Sequence, residues 1–365
     1  MNAKTGGGTD YEMANVMTPV MQAKTTGSKV TEGVHGGPDV SLVGSAPVRR
    51  GPIGDIAAAD GVIVVANYGD DSIAVLNAAT LAVESIIAVP GEPVAVAVAD
   101  DRAYVSTSSW THDEIAVVDL TAKSVIATYD LAFNVTALTV SPDGKRVFAG
   151  RTGDGYADVA VIDVPAERMG TIDIATGAGI GIDAVERDAT GKRLYVGTTD
   201  ARGGALVVVN VETARVERTV QLGAPIRDVA VADGTVYVLT SDRARGGVVH
   251  VVARATGRIT GTIQLGGAPT QLTMGANDTH AYVVDYDRVA VLCTLTHKVI
   301  DTLMVGARPS SVAVGAGGTR LNVADYTGVV SAYHVETATP LMYSDFVATD
   351  PIVMPEVADL EPATA

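Results

Sequence analysis

From about residue 50 to residue 335 the chain alternates apolar and polar positions with a period of two, as in Val94-Ala95-Val96-Ala97-Val98 and Arg102–Thr107. No segment sustains a 3.6-residue period, so the pattern predicts strands and no helices. The apolar runs are short and Val-rich, and Gly or Asx residues bound them. Runs of that length and composition suit half-buried strands of an all-β protein.

The runs are grouped. Seven segments repeat one plan: apolar run, tight turn, apolar run, polar loop, apolar run, turn, apolar run. The first spans Pro52–Val89 and the second begins at Pro90. The others begin near Ala132, Ala175, Gly223, Gly266 and Gly306. A spacing of roughly 40–48 residues with four strands per unit is the signature of a propeller blade.

Turn chemistry recurs with the same period. Asp60-Gly61, Asp143-Gly144, Gly191-Lys192, Asp233-Gly234 and Asn277-Asp278 separate first from second strands. These pairs tolerate the positive φ of a two-residue hairpin. Between third and fourth strands, Asn77 precedes Thr80 and Asn210 precedes Thr213 by three residues, the spacing of Asx turns. Val64-Val65-Ala66-Asn67-Tyr68-Gly69-Asp70-Asp71-Ser72-Ile73-Ala74-Val75-Leu76 and Ser141-Pro142-Asp143-Gly144-Lys145-Arg146-Val147-Phe148 resemble the repeat of the YVTN-repeat (YncE-like) propeller family. The resemblance covers about residues 40–346. It implies an all-β, seven-bladed β-propeller of four-stranded antiparallel blades. It implies no particular activity, because such repeats serve binding proteins as well as lactonase-like and quinoprotein-like enzymes.

A ring needs closure, or its first and last blades keep unpaired edges. Residues 39–44 resemble a blade's end and are expected to form an outer strand on the seventh blade. Thr339–Phe346 competes for that place. The expected organisation is therefore a disordered segment at 1–37, the propeller at 38–346 and a disordered acidic tail at 347–365, since neither end holds enough apolar surface to order itself.

Composition narrows the class. Hydrophobic residues make up 47% but aromatics only 4%, so the core must be built from Val, Ala, Ile and Leu. The net charge of −16 disfavours nucleic acid and anionic membranes. No stretch is long and apolar enough for a membrane span, and no leader is visible. The chain is expected to be cytoplasmic as written, or exported if a leader has been removed. Cys293, the single cysteine, excludes an intrachain disulfide.

Candidate chemistry is sought where loops between second and third strands and between blades share one face, at a mouth of the channel. Asp55, Asp183 and Asp228 are read as one slot at the start of innermost strands, with Gln271 and Ser311 near it in later blades. Such a collar can hold a Ca²⁺ or a basic side chain, or its carboxylates can cap backbone amides. Arg151, Arg227 and Arg308, with Arg49, Arg50, Arg202, Arg243, Arg245 and Arg288, are assigned to the same face, as a ligand patch or an ion-paired rim. Asp70, Asp113, Asp154, Asp200, Asp242, Asp285 and Asp325 recur once per blade and read as turn acceptors. The loop carrying Trp110 and His112 breaks the symmetry and suits partner contact or cover for its own blade. The histidines show no zinc-type spacing, and no Gly-x-Ser-x-Gly elbow exists.

The leading expectation is a non-catalytic, monomeric platform that offers one loop face and channel mouth to a protein or small ligand, without metal or cofactor. The alternative is a lactonase-like or metal-dependent hydrolase built on Asp183 and Asp228.

Overall fold

The computed structural model describes residues 40–48, 51–131 and 134–335. The two terminal segments expected to be disordered lie outside the described residues, as do Thr339–Phe346, Arg49 and Arg50.

Every described element is a strand or a turn. The first blade comprises β2 (Ile53–Ala59), β3 (Val62–Asn67), β4 (Ser72–Asn77) and β5 (Val83–Ala88), preceded in the chain by β1 (Val40–Pro47). The second holds β6 (Glu92–Ala99), β7 (Arg102–Ser108), β8 (Asp113–Asp119) and β9 (Ser124–Leu131). The third holds β10 (Val135–Val140), β11 (Arg146–Gly153), β12 (Tyr156–Asp163) and β13 (Arg168–Thr176). The fourth holds β14 (Gly181–Arg187), β15 (Arg193–Asp200), β16 (Gly203–Asn210) and β17 (Arg215–Gln221). The fifth holds β18 (Ile226–Ala232), β19 (Thr235–Asp242), β20 (Gly246–Ala253) and β21 (Ile259–Gly266). The sixth holds β22 (Gln271–Met274), β23 (His280–Asp285), β24 (Arg288–Cys293) and β25 (Lys298–Met304). The seventh takes β26 (Pro309–Val314), β27 (Arg320–Asp325) and β28 (Val329–Val335) from its own stretch of chain.

Its fourth strand is β1. Val40 pairs with Val335, and the antiparallel register runs to Pro47 opposite Val329. The outer strand expected at 39–44 is therefore present and extends to Pro47. The innermost strands β2, β6, β10, β14, β18, β22 and β26 each lie against the next, and β26 returns to β2. Seven four-stranded antiparallel sheets form the ring.

Burial follows from this arrangement. The core is seven slabs, one between each pair of adjacent blades, and the slab joining blades seven and one contains Val48, Ile53, Leu76, Ala324 and Val330. Val, Ala and Ile dominate, because flat β-branched faces fill the gap between two sheets without large rings. The few buried rings lie mostly on second strands: Tyr104, Phe148, Tyr195, Tyr237 and Tyr282. Tyr104 donates its hydroxyl to the Gly144 carbonyl in the next blade at 2.7 Å, so one side chain both fills and latches the slab.

The turns bear out the residue chemistry. Gly61 and Gly234 take φ of 77° and 75°, and Asp278 takes 56°, the left-handed region that Asp-Gly and Asn-Asp tolerate. Asn77 Oδ1 accepts from the amides of Ala79 and Thr80, and Asn210 Oδ1 from that of Thr213. Cys293 lies buried on β24. Among the described residues no helix is long and apolar enough to cross a membrane.

Closure by β1 is testable. A chain beginning at Gly51 should melt on the order of 10 °C below the full chain, as expected for losing several kcal/mol in a domain this large. Added peptide 40–48 should restore part of that loss in a dose-dependent way, read by calorimetry.

Candidate functional site

An innermost strand has a sheet edge that faces the channel, where its amides lack ladder partners. Asp55 serves two such edges. Its Oδ1 accepts from the Ile56 amide at 2.9 Å, and its Oδ2 from the Val96 amide of blade two at 3.0 Å. Ser311 of blade seven donates to Oδ1 at 2.8 Å. Asp228 repeats the arrangement, accepting from Val229 and, in blade six, from Leu272, both at 2.8 Å. Gln271 Oε1 accepts from the Val312 amide of blade seven at 2.7 Å. These side chains stitch blades five, six, seven, one and two together around the channel.

Asp183 does not belong to that slot. In blade one Asp55 pairs with Ala66, and in blade five Asp228 pairs with Leu239. In blade four the residue in register is Ala184, opposite Gly197, and Asp183 is the bulged residue before it. Its equivalent in blade five is the exposed Arg227, also bulged. A bulge turns the following side chain to the other face, so a carboxylate one position early points elsewhere. Asp183 Oδ2 is buried without a hydrogen-bond partner. Burial pushes its carboxyl up, against the opposing pull of Thr199 and Arg227.

The channel wall also holds Glu186, whose carboxyl burial pushes up although the Arg187 amide and charge favour its ionised form. Asp55 is raised as well, by burial acting against its hydrogen bonds. Asp228 is pushed up to about 7, by burial first and then by the charges of Glu186 and Asp55, its two amide bonds working the other way.

The arginines divide. Arg151 does not reach the channel mouth: its Nε and Nη2 meet Asp158 Oδ1 and Oδ2 at 2.7 and 3.0 Å within blade three, because register puts the pair directly opposite on β11 and β12. Arg202 and Arg288 pair with Asp200 and Asp285. Asp242 and Asp325 accept from amides of their own turns. Arg308 is different. Its guanidinium carbon lies 4.8 Å from the ring centres of both Tyr286 and Tyr326, a cation held between two π faces. It makes no ion pair among the described residues.

Those tyrosines belong to a wider set. Every exposed aromatic side chain among the described residues lies in, or one residue after, a loop joining second to third strands: Tyr68, Trp110, Tyr156, Tyr286 and Tyr326. They belong to the consecutive blades six, seven, one, two and three. Trp110 is fully exposed, on a loop fixed by hydrogen bonds of Ser109 Oγ with the His112 carbonyl and amide.

Comparison with known proteins agrees with this architecture. A protein of Mycolicibacterium smegmatis described as a seven-bladed beta-propeller protein is 55% identical over 316 residues, covering 86% of each chain. Seven-bladed beta-propeller protein Rv1057 of Mycobacterium tuberculosis is 35% identical over 296 residues, covering 70% of this chain and 75% of that one. The chain belongs to this seven-bladed β-propeller family. No protein-family model matches it. Among solved structures, Kuenenia stuttgartiensis hydrazine synthase superposes with a TM-score of 0.70 at 18% identity, over 78% of this chain and 96% of that one. At that identity the likeness speaks for the fold alone.

Two features of this family member escape sequence reasoning. The first is a cavity of about 480 Å³ at the opposite end of the channel, lined by first-hairpin residues such as Asp60, Asp100 and Ser141, with Arg187 in its wall. The second is a cluster on blade two. His112 Nε2 lies 4.0 Å from Glu114 Oε2 and 3.7 Å from Asp130 Oδ1. Asp130 is opposite Glu114 across β8 and β9, a pairing invisible without the hairpin register.

The channel acids carry a pH signature. The folded Asp228 carboxyl keeps its proton to about pH 7, whereas the unfolded group releases it near 3.8. Its contribution to stability therefore falls as pH rises from about 4 to 7. Asp228→Asn should flatten the fall in melting temperature over that interval relative to the parent chain, measured by calorimetry across pH.

Proposed function

We propose that this propeller is a non-catalytic platform that binds a protein partner on the face carrying the loops between second and third strands. The observation that carries the reading is that, among the described residues, the exposed aromatic side chains all cluster on that face, around Arg308 clamped between Tyr286 and Tyr326. Trp, Tyr and Arg are the residues that dominate binding energy at protein interfaces. They bury large rigid surfaces at small entropic cost. Arg308, held flat by two rings, keeps the edge of its guanidinium for a partner carboxylate.

The channel supports the same reading from the other side. Of Asp183 and Asp228, the pair on which a lactonase-like hydrolase would depend, Asp228 is engaged by the backbone amides of Val229 and Leu272, and Asp183 lies on a bulge outside its slot. An acid holding two blades together is not free to bind substrate. The YVTN-type reading of the repeats rests on stretches such as Val64–Leu76, where Asn67 ends β3 and Tyr68 begins the exposed loop. That places the aromatic set at one recurring position of the repeat in blades one, six and seven.

A photo-crosslinking residue at position 326 should capture a partner from an extract of the source organism, and one at position 167, in a turn on the other face, should not. Trp110→Ala combined with Tyr286→Ala should lower capture at least about tenfold, in line with loss of interface hot spots. Melting should stay within about 0.5 kcal/mol of the parent, as for other exposed positions. Equal capture from both faces, or none from position 326, would end the platform reading.

A further inference from the structure

The blade-two cluster differs in kind from the paired charges elsewhere on the surface. Glu114 is nearly fully buried at the start of β8, and its carboxylate faces that of Asp130 on β9. Like charges directly opposite on neighbouring strands repel, and burial makes Glu114 still less content as an isolated anion. The His112 imidazole lies 4.0 Å away, and His112 itself is half-exposed.

Two further groups point inward. Thr107, opposite Glu114 on β7, is 2% exposed, and its Oγ1 has no well-formed hydrogen bond although it faces and favours the Glu114 carboxylate. Thr111 Oγ1 lies 2.9 Å from His112 Nδ1. With Nδ1–H donating to Thr111 Oγ1, that contact fixes the ring and leaves the Nε2 lone pair on the side of the carboxylates, the arrangement that a second hydrogen bond gives a metal-binding histidine. The three donor atoms lie within 4.8 Å of one another.

We propose that His112, Glu114 and Asp130 form a binding site for a divalent transition-metal ion of the Zn²⁺ type. One imidazole nitrogen and two carboxylate oxygens match the borderline donors that Zn²⁺ takes, with bonds of about 2.0–2.2 Å. Tetrahedral ligands at that length stand about 3.3 Å apart, so the set, with 3.7 and 4.0 Å from His112 and all three atoms within 4.8 Å, must draw together to hold the ion. The Asp130 side chain is 82% exposed and free to move in, while Glu114 and the His112 ring stay anchored. Ca²⁺ fits poorly, because it seeks six to eight oxygens. Three protein ligands at the edge of the loop face leave a coordination position open towards solvent. A water, or a donor from a bound molecule, completes it.

This site is independent of the platform reading, since a metal here neither requires nor excludes a partner on the aromatic set. The test uses the full chain, stripped with chelator and titrated with Zn²⁺ alone at pH 7.5. Bound metal is measured by elemental analysis after equilibrium dialysis. The parent should take up a saturable equivalent that His112→Ala and Asp130→Asn each weaken at least about tenfold, since even outer-shell partners of a metal account for ten- to a hundredfold. Both substitutions are at accessible side chains, and circular dichroism checks that the variants fold. No stoichiometric uptake by the parent, or uptake unchanged in both variants, overturns the proposal.

Discussion

Seven sheets arranged radially bring seven strand edges into one narrow channel, and the amides of those edges must find acceptors there. An unpartnered buried amide costs on the order of 1–3 kcal/mol, and no helix or loop fills the channel among the described residues to supply partners. Side chains at the start of the innermost strands meet the demand. Asp55, Asp228 and Gln271 each accept from an amide of the following blade, and Ser311 passes a hydrogen bond from blade seven to Asp55. A carboxylate suits the task because it accepts from two edges at once. The same geometry buries Asp228 and places Asp55 and Glu186 within electrostatic reach of it, and its raised carboxyl follows from the burial first and from those charges second.

That constraint separates scaffold from function. Groups near the channel are engaged in holding neighbouring blades in register, so substituting them disturbs the ring. The loops between second and third strands carry no such duty. Their backbone needs are met locally, as at Asp242 and Asp325, whose carboxylates accept from amides of their own turns. Side chains at the loop tips are therefore free to be chosen for contact. In a chain with only 4% aromatic residues, five exposed rings on one face among the described residues are a concentration that core packing does not explain.

Most of the fold is legible in the residues because its signals are local. Period-two runs, Asp-Gly hairpins and Asx turns each depend on a few neighbouring positions, and their repetition sets the blade count. The closing strand is legible only in part: residues 39–44 resemble a blade's end, but Thr339–Phe346 competes for the same edge until the β1–β28 pairing is seen. The site was less legible, because it depends on register. One bulged residue moves Asp183 out of the slot shared by Asp55 and Asp228, and a linear reading that aligns acids by their distance from a turn does not see it. Position near a loop puts Arg151 on the loop face, yet its partner Asp158 is chosen by the β11–β12 pairing.

The His112 cluster shows the same limit in its strongest form. His112 and Glu114 are two apart in the chain, a spacing that carries no metal signature, and Asp130 joins them only through the β8–β9 ladder. Within Asp113-Glu114 the alternation of a strand sends the two acids to opposite faces. Asp113 accepts from the Val135 amide of blade three, which is work for the ring. Glu114 turns the other way, into a space where no backbone amide meets it, beside a second carboxylate and a hydroxyl without a bond. Two adjacent acids thus divide between the two roles found throughout the molecule. The one that faces a neighbouring strand edge is spent on the fold, and the one that faces no edge is left to answer to something outside the chain.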